Sequence, residues 1–162
     1  MKHLLTLLLL GLLTQAFAQK PYQLNGSELL ISKSITFKNA TSAELTKESE
    51  EALQIVKQYL DEKPYITLLR IEAHLSNTTN SAQKLTESRS LAVYQKLVAM
   101  GVDCKRLIAV AFGGTKPIAD NSTAEGKLKN DRITFVNVAL KNIVIGGLPI
   151  DGGGVATSKT CQ

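Results

Sequence analysis

Reactive and metal-binding side chains are scarce in this chain of 162 residues. It has two cysteines, which form no Cys-x-x-Cys pair, and two histidines, His3 and His74. A zinc site or a thiol redox motif needs several such ligands at short spacing, so neither is indicated. A lone histidine forms no catalytic dyad without visible partners, and no nucleophile–base pair is apparent. We therefore expect no enzymatic activity, no metal site and no cofactor.

Long apolar segments are also scarce. The run from Leu4 to Leu13 follows Lys2 and precedes the small-x-small site at 16–18. It is shorter than the roughly 20 apolar residues of a transmembrane helix, and this pattern predicts a signal peptide cleaved after Ala18 rather than an uncleaved anchor. There is no cysteine near that site for a lipid anchor, and no later segment is apolar enough to span a bilayer. The sequence thus predicts an exported chain with no membrane span after cleavage.

A strong charge bias is absent as well. The formal net charge is +5, and the lysines and arginines are scattered rather than arranged in a stripe. Export would also separate the chain from nucleic acid, so we expect no nucleic-acid partner. A mildly basic surface suits a wall or membrane surface that carries anionic groups.

Hydrophobic periodicity predicts strands that alternate with helices. Leu53, Val56 and Leu60 share one face of a helix that starts after Thr46 and stops before Pro64. A second helix is predicted over about 82–100, and the predicted strands cover 29–37, 65–71, 107–112 and 133–140. Helices that join strands imply crossovers. The order β-α-β-α-β-β therefore predicts an α/β two-layer sandwich, a mixed sheet with helices packed on one face.

Composition divides the chain into four predicted parts. Residues 1–18 form the signal peptide, 19–28 a polar lead-in, 29–140 a single domain and 141–162 a Gly-rich extension. The extension could add an edge strand, dock a partner or stay mobile. Cys104 and Cys161 could form a disulfide in an exported protein, or remain two free thiols.

Four motifs follow one another in the second half of the chain. They are Ala73-His74-Leu75-Ser76, Leu85-Thr86-Glu87-Ser88-Arg89-Ser90, Phe112-Gly113-Gly114 with Pro117-Ile118-Ala119, and Asn130-Asp131-Arg132. They resemble Gly-His-Thr-Asp, Leu-Ser-x-x-Arg-Ala, a glycine before Pro-Ile-Ala, and Asn-Arg-Arg of the OmpA-like C-terminal domain. That family includes outer membrane protein A, the peptidoglycan-associated lipoproteins and flagellar stator proteins.

The resemblance implies a non-enzymatic, periplasmic or outer-membrane-associated protein that binds peptidoglycan without a covalent bond. In this family the ligand is the diaminopimelate of the peptide stem, whose free end carries an ammonium and a carboxylate. Arg89 holds the position of the carboxylate-binding arginine, whose planar fork pairs with two oxygens. We expect it in the first turns of a helix, where backbone N–H groups also favour an anion. Other envelope proteins are possible partners.

One ligand position departs from the family, because Ser76 stands where the family has the ammonium-binding aspartate. A charge-assisted hydrogen bond contributes about 1.5–3 kcal/mol and a neutral one about 1 kcal/mol. We therefore expect affinity weakened roughly ten-fold or more, and regained when Ser76 is made acidic. Asn77 or Asn80 could compensate in part.

Two further motif residues have expected roles near this site. His74 is expected to be a positioned structural residue beside the site loop. Arg132 is expected to pair with a nearby carboxylate or the loop, although a ligand role is also open. The alternative function is a related module that has lost wall binding and serves as a structural or protein-interaction domain in the envelope.

Overall fold

The computed structural model describes residues 20–146, 154–157 and 161. The predicted signal peptide and positions 147–153 of the predicted extension lie outside the described residues. The elements follow in the order β1 (Tyr22–Asn25), β2 (Glu28–Ile31), α1 (Lys47–Glu62), β3 (Ile66–His74), α2 (Asn80–Ala99), β4 (Leu107–Gly113), α3 (Ala124–Asn130), β5 (Arg132–Leu140), β6 (Ile143–Val144) and β7 (Val155–Ala156). A 3-10 turn over Cys104–Arg106 leads into β4.

The strands form one mixed sheet with the order β1-β2-β5-β3-β4-β7, and β6 also pairs with β5. At its centre, β3 runs parallel to β4 and antiparallel to β5, so that Ile71 lies between Ala109 and Phe135. A parallel pair needs a crossover connection, which α2 supplies. The central place of β3 explains why it is largely buried along its length.

The two long helices pack on one face of this sheet and close a single core. The core is made of apolar side chains from both helices and the central strands: Leu53, Val56, Leu60, Val93, Leu97, Leu69, Ile71 and Phe135. The predicted α/β fold, with a mixed sheet and helices on one face, is confirmed.

The predicted first strand is wrong in its extent. β2 ends at Ile31, and Phe37 forms only an isolated bridge to Leu45. The strand β1 instead forms within the predicted lead-in, where it pairs with β2 in a hairpin around Gly26, whose φ is +59°. The two residues between the paired positions Asn25 and Glu28 are Gly26-Ser27, a favoured sequence for a two-residue hairpin loop, and this signal is weaker than the apolar run that follows it.

The segment predicted as a loop over 113–129 contains α3. Its N-cap, Thr123, accepts a hydrogen bond from the Gly126 backbone nitrogen at 2.9 Å. A Cβ at Gly126 would lie 1.8 Å from the carbonyl oxygen of Asp120, so the helix packs closely on the preceding turn. The segment is too short and too polar to show a helical apolar stripe.

The C-terminal extension adds a strand to the edge of the sheet. β7 pairs antiparallel with β4, and the backbone nitrogen of Thr157 donates to the Ala109 carbonyl at 2.8 Å. Cys161 is joined to Cys104 by a disulfide, with the two Cα atoms 5.7 Å apart. The extension thus covers the β4 edge, which would otherwise present unpaired backbone groups. No helix in the described part of the chain is long and apolar enough to cross a membrane.

Candidate functional site

The motif residues meet at one end of the sheet. β3 ends at His74, which is level with the end of β4 at Gly113 and the start of β5 at Arg132. The loop over 75–79 leads from this edge into α2, and the loop over 114–123 leads into α3. The fold therefore brings the four motifs, which are distant in sequence, to a common rim.

Ser76 lies at this rim beside an unexpected carboxylate. Its backbone nitrogen donates to Oδ1 of Asp131 at 2.6 Å. Asp131 is exposed, and its side chain comes from the junction of α3 and β5 rather than from β3. The end of β3 therefore carries a negative charge although Ser76 supplies none.

Arg89 is more deeply involved in the fold than the sequence indicated. Its side chain lies over the Phe37 ring, with the guanidinium carbon 4.4 Å from the ring centroid, and the residue is 7% exposed. Nε donates to the Ser42 carbonyl at 2.9 Å, and Nη2 donates to the carbonyls of Ala40 and Asn39 at 2.9 and 3.2 Å. The guanidinium thus fastens the loop over 39–42 against α2.

One edge of the Arg89 guanidinium is left for another acceptor. Nη1 donates to none of the described residues, whereas Nε and Nη2 both donate to backbone carbonyls. Burial lowers the pKa of Arg89, and the Asp131 carboxylate opposes this shift because it is close enough to favour the charged form. The rim therefore holds a cation and an anion near one another.

The expected support of Arg89 by the helix start is wrong. α2 begins at Asn80, so Arg89 lies in its third turn, roughly 13 Å from the first residue at 1.5 Å per residue. The effect of the helix dipole is confined to the first and last turns. Arg89 would therefore recognise an anion through its charged, planar guanidinium alone, without help from the start of the helix.

His74 is sealed inside the rim rather than exposed to a ligand. Its ring stacks on Phe112, with centroids 5.0 Å apart, and the residue is 2% exposed. Burial lowers the pKa of His74, and the charges of Arg132 and Lys116 lower it further, while the hydrogen bond to Glu72 opposes them. We infer a neutral ring that donates from Nε2 to Oε2 of Glu72 across 3.1 Å. Nδ1 is buried and has no hydrogen-bond partner among the described residues.

Glu72 links His74 to a further charge on the same strand. Its Oε1 accepts from Nε of Arg70 at 2.6 Å, and its Oε2 accepts from the Thr134 hydroxyl at 3.1 Å. Burial alone would raise the pKa of Glu72, but the His74 hydrogen bond and the Arg70 charge outweigh it and lower the pKa. Arg70, Glu72 and His74 thus form a buried polar row beneath the rim.

Arg132 and Asn77 hold loops at the rim. Arg132 donates from Nη1 to the Asn130 carbonyl and from Nη2 to the Lys116 carbonyl, both at 3.3 Å. Burial lowers the pKa of Arg132, which the charges of Glu72 and Glu28 oppose. Oδ1 of Asn77 accepts from the hydroxyl of Thr79, the N-cap of α2, at 2.7 Å.

Asn130 has a structural role beside the start of β5. It is fully buried, and its Oδ1 accepts from the backbone nitrogens of Ile118 and Ala119 at 2.7 and 3.0 Å. Its Nδ2 donates to the Ala119 carbonyl at 2.8 Å. The asparagine therefore ties the Pro-Ile-Ala loop to the start of β5 and fixes the neighbouring Asp131.

A groove of about 290 Å³ adjoins this part of the rim. It runs between the segment over 28–35 and the start of β5, and its lining includes Lys33, Asp131 and Arg132. Charges of both signs therefore border this groove, whose lining includes neither Ser76 nor Arg89.

Comparison with known proteins identifies a matching family and similar proteins. The OmpA family matches residues 37–131. The chain is 27% identical over 114 residues to Motility protein B of Helicobacter pylori J99, which covers 67% of this chain and 44% of that protein. It is 33% identical over 101 residues to the probable lipoprotein YiaD of Escherichia coli K12, which covers 61% of this chain and 45% of that protein. The matched part spans less than half of these two relatives.

Solved structures show the same fold. The peptidoglycan-associated lipoprotein of Burkholderia pseudomallei superposes with a TM-score of 0.56 at 25% identity, over 64% of this chain and 88% of that one. The family match extends from Phe37 to Asp131 and so includes three of the four motifs in full and the first two residues of the fourth. Because that match covers more than half of the chain, this protein belongs to the OmpA family.

Proposed function

We propose that this protein is a non-enzymatic component of the bacterial cell envelope that binds peptidoglycan non-covalently at the rim around Ser76. Its family and its likeness to a peptidoglycan-associated lipoprotein support this function. The ligand is the free end of diaminopimelate, which carries an ammonium and a carboxylate on one carbon. The protein works in the periplasm or at the outer membrane.

The observation that carries the proposal is the pairing of charges at the rim. Nη1 of Arg89, which donates to none of the described residues, suits a carboxylate, and a negatively charged group lies beside Ser76. A zwitterionic ligand end needs both signs of charge within a few ångströms. A ligand with only one of the two charges would leave one protein charge without a partner.

Binding is weaker than a fully open arginine fork would give. Nε and Nη2 of Arg89 already donate to backbone carbonyls in the loop over 39–42. Only Nη1 is left for a ligand, so a bidentate pair would require Nη2 to release an acceptor. A polymer that repeats the same ligand presents it at high local concentration, which offsets part of a weak contact.

Sedimentation with insoluble peptidoglycan tests the function. The wild-type protein should appear in the pellet, and Arg89→Lys should reduce the bound fraction because lysine lacks the planar fork. Arg106→Lys is the matched control. At the opposite end of the sheet, Arg106 donates from Nε to Ile66 and from Nη2 to Leu60 and Lys63, all backbone carbonyls. This control should lose comparable stability and keep its binding.

A second function is favoured by the same engagement of Arg89. If the loop over 39–42 holds the guanidinium permanently, the rim serves as a structural or protein-interaction surface of the envelope and binds no wall. A folded wild-type protein that stays in the supernatant would select this function over the first.

A further inference from the structure

We propose that Asp131 supplies the carboxylate that binds the ligand ammonium, in place of an aspartate at position 76. This inference rests on the proposed function and names the residue that completes its site. Asp131 reaches the end of β3 from the junction between α3 and the neighbouring strand β5. The carboxylate thus comes from a different segment of the chain than the family aspartate but lies at the same rim.

The geometry fixes the carboxylate close to the backbone of Ser76. Oδ1 of Asp131 lies 2.6 Å from the Ser76 nitrogen. An aspartate side chain at position 76 would start from that same residue, so the two carboxylates would occupy neighbouring space. Asp131 is held from behind as well, since its own backbone nitrogen donates to the Lys127 carbonyl at 2.9 Å and the preceding Asn130 is fully buried.

The carboxylate is also available. Asp131 is exposed, and Oδ2 accepts no hydrogen bond within the described part of the chain. One oxygen is therefore oriented by the Ser76 N–H while the other can accept a bond from an ammonium. The Asp131 charge also favours the charged form of Arg89, whose pKa burial lowers.

This assignment reverses the expectation for an acidic residue at position 76. A second carboxylate beside Asp131 would repel the first, and one of the two would take up a proton more easily. Ser76→Asp alone should therefore leave wall binding unchanged or weaken it. It should restore binding only when Asp131 has lost its charge.

Four variants measured by sedimentation with insoluble peptidoglycan separate the possibilities. Asp131→Asn removes the charge but keeps an Oδ1 that can accept the Ser76 N–H, and we expect its affinity to fall roughly ten-fold. Ser76→Asp should show no gain, and the double variant Ser76→Asp, Asp131→Asn should regain most of the loss. Asp103→Asn is the control, since Asp103 is also exposed and accepts a backbone N–H, from Lys105 at 2.9 Å, before β4 starts.

Thermal unfolding of each variant shows whether the fold is intact. The assignment would be overturned if Asp131→Asn bound peptidoglycan as tightly as the wild-type protein and Ser76→Asp bound it more tightly. The proposed function would still stand in that case. No sedimentation of the folded wild-type protein would overturn the proposed function, and the role of Asp131 with it.

Discussion

Arg89 and Arg106 are held in the same way at opposite ends of the sheet. Each donates from Nε to one backbone carbonyl and from Nη2 to two others. The acceptors of Arg89 lie in the loop over 39–42, and those of Arg106 lie between the last turn of α1 and the first residue of β3. The two arginines differ in their surroundings, because Arg89 has the Asp131 carboxylate nearby. A comparison of the two therefore separates what an arginine does for the fold from what it does for a ligand.

Truncation of either arginine should destabilise the protein by a similar amount. We expect Arg89→Ala and Arg106→Ala each to lower the free energy of unfolding by roughly 2–4 kcal/mol, since each leaves three carbonyls without their charged donor. Denaturant unfolding measures both values. Only Arg89→Ala should also abolish wall binding, and equal loss of binding in the two folded variants would show that Arg89 acts through stability alone.

The buried His74 predicts a loss of stability in mild acid. Its pKa is lowered in the folded protein and lies near 6.5 when unfolded, so below about pH 6.5 the unfolded chain takes up a proton that the folded chain does not. The stability contributed by the neutral ring is complete above pH 6.5 and decreases as the pH falls towards the folded pKa. The slope should approach about 1.4 kcal/mol per pH unit at most.

His74→Gln tests this account, because glutamine can still donate to Glu72 but does not titrate. Unfolding of both proteins should be measured between pH 7.5 and 5.5, above the range in which Glu72, with its lowered pKa, takes up a proton. The wild-type stability should fall over this range while that of the variant stays nearly constant. Equal slopes in the two proteins would assign the acid sensitivity to other groups.

The disulfide should hold the C-terminal extension on the sheet. Cys104 and Cys161 are 57 residues apart, and closing a loop of that length stabilises a protein by roughly 4 kcal/mol at most in the chain-entropy account. Replacing both cysteines with serine should lower the free energy of unfolding and increase amide exchange at Thr157. Free-thiol labelling of the denatured, unreduced protein should detect no thiol, and two reactive thiols would contradict the pairing.

The contact between two rim loops depends on Gly114. A Cβ at this position would lie 2.2 Å from the Asn77 carbonyl oxygen, which neither backbone can accommodate without moving. Gly114→Ala should therefore lower stability by roughly 1–3 kcal/mol. Gly146→Ala is the control, since its Cβ would come no closer than 3.4 Å to the Asn137 carbonyl oxygen. Comparable melting temperatures for the two variants would mean that the loops are free to separate.

The core of this fold is predictable from the sequence because apolar periodicity reports burial directly. Leu53, Val56 and Leu60 have a helical spacing, and they pack on β3 as expected. Apolar periodicity does not predict β1 or α3. A hairpin turn defines β1 and an N-cap threonine defines α3. Such short polar elements acquire their structure from the chain around them.

The site was harder to predict because its charges come from different segments. A motif comparison places Asp131 opposite a family arginine and Ser76 opposite a family aspartate, and so reports two separate losses. The structure shows that the two positions are in contact, through the Ser76 nitrogen and the Asp131 carboxylate. A hydrogen bond between residues 55 positions apart has no local signal in a single sequence.

The most direct test of a site for the zwitterionic end of diaminopimelate compares the affinities of the protein for two soluble peptides. A stem peptide that ends in diaminopimelate and the same peptide with lysine differ in one carboxylate, and both keep an ammonium at the end of the side chain. Calorimetric titration of the wild-type protein should detect binding of the diaminopimelate peptide and at least a ten-fold loss with the lysine peptide, since Arg89 would have no carboxylate to bind. Equal affinity for both peptides, or no binding of either by the folded protein, would contradict this account.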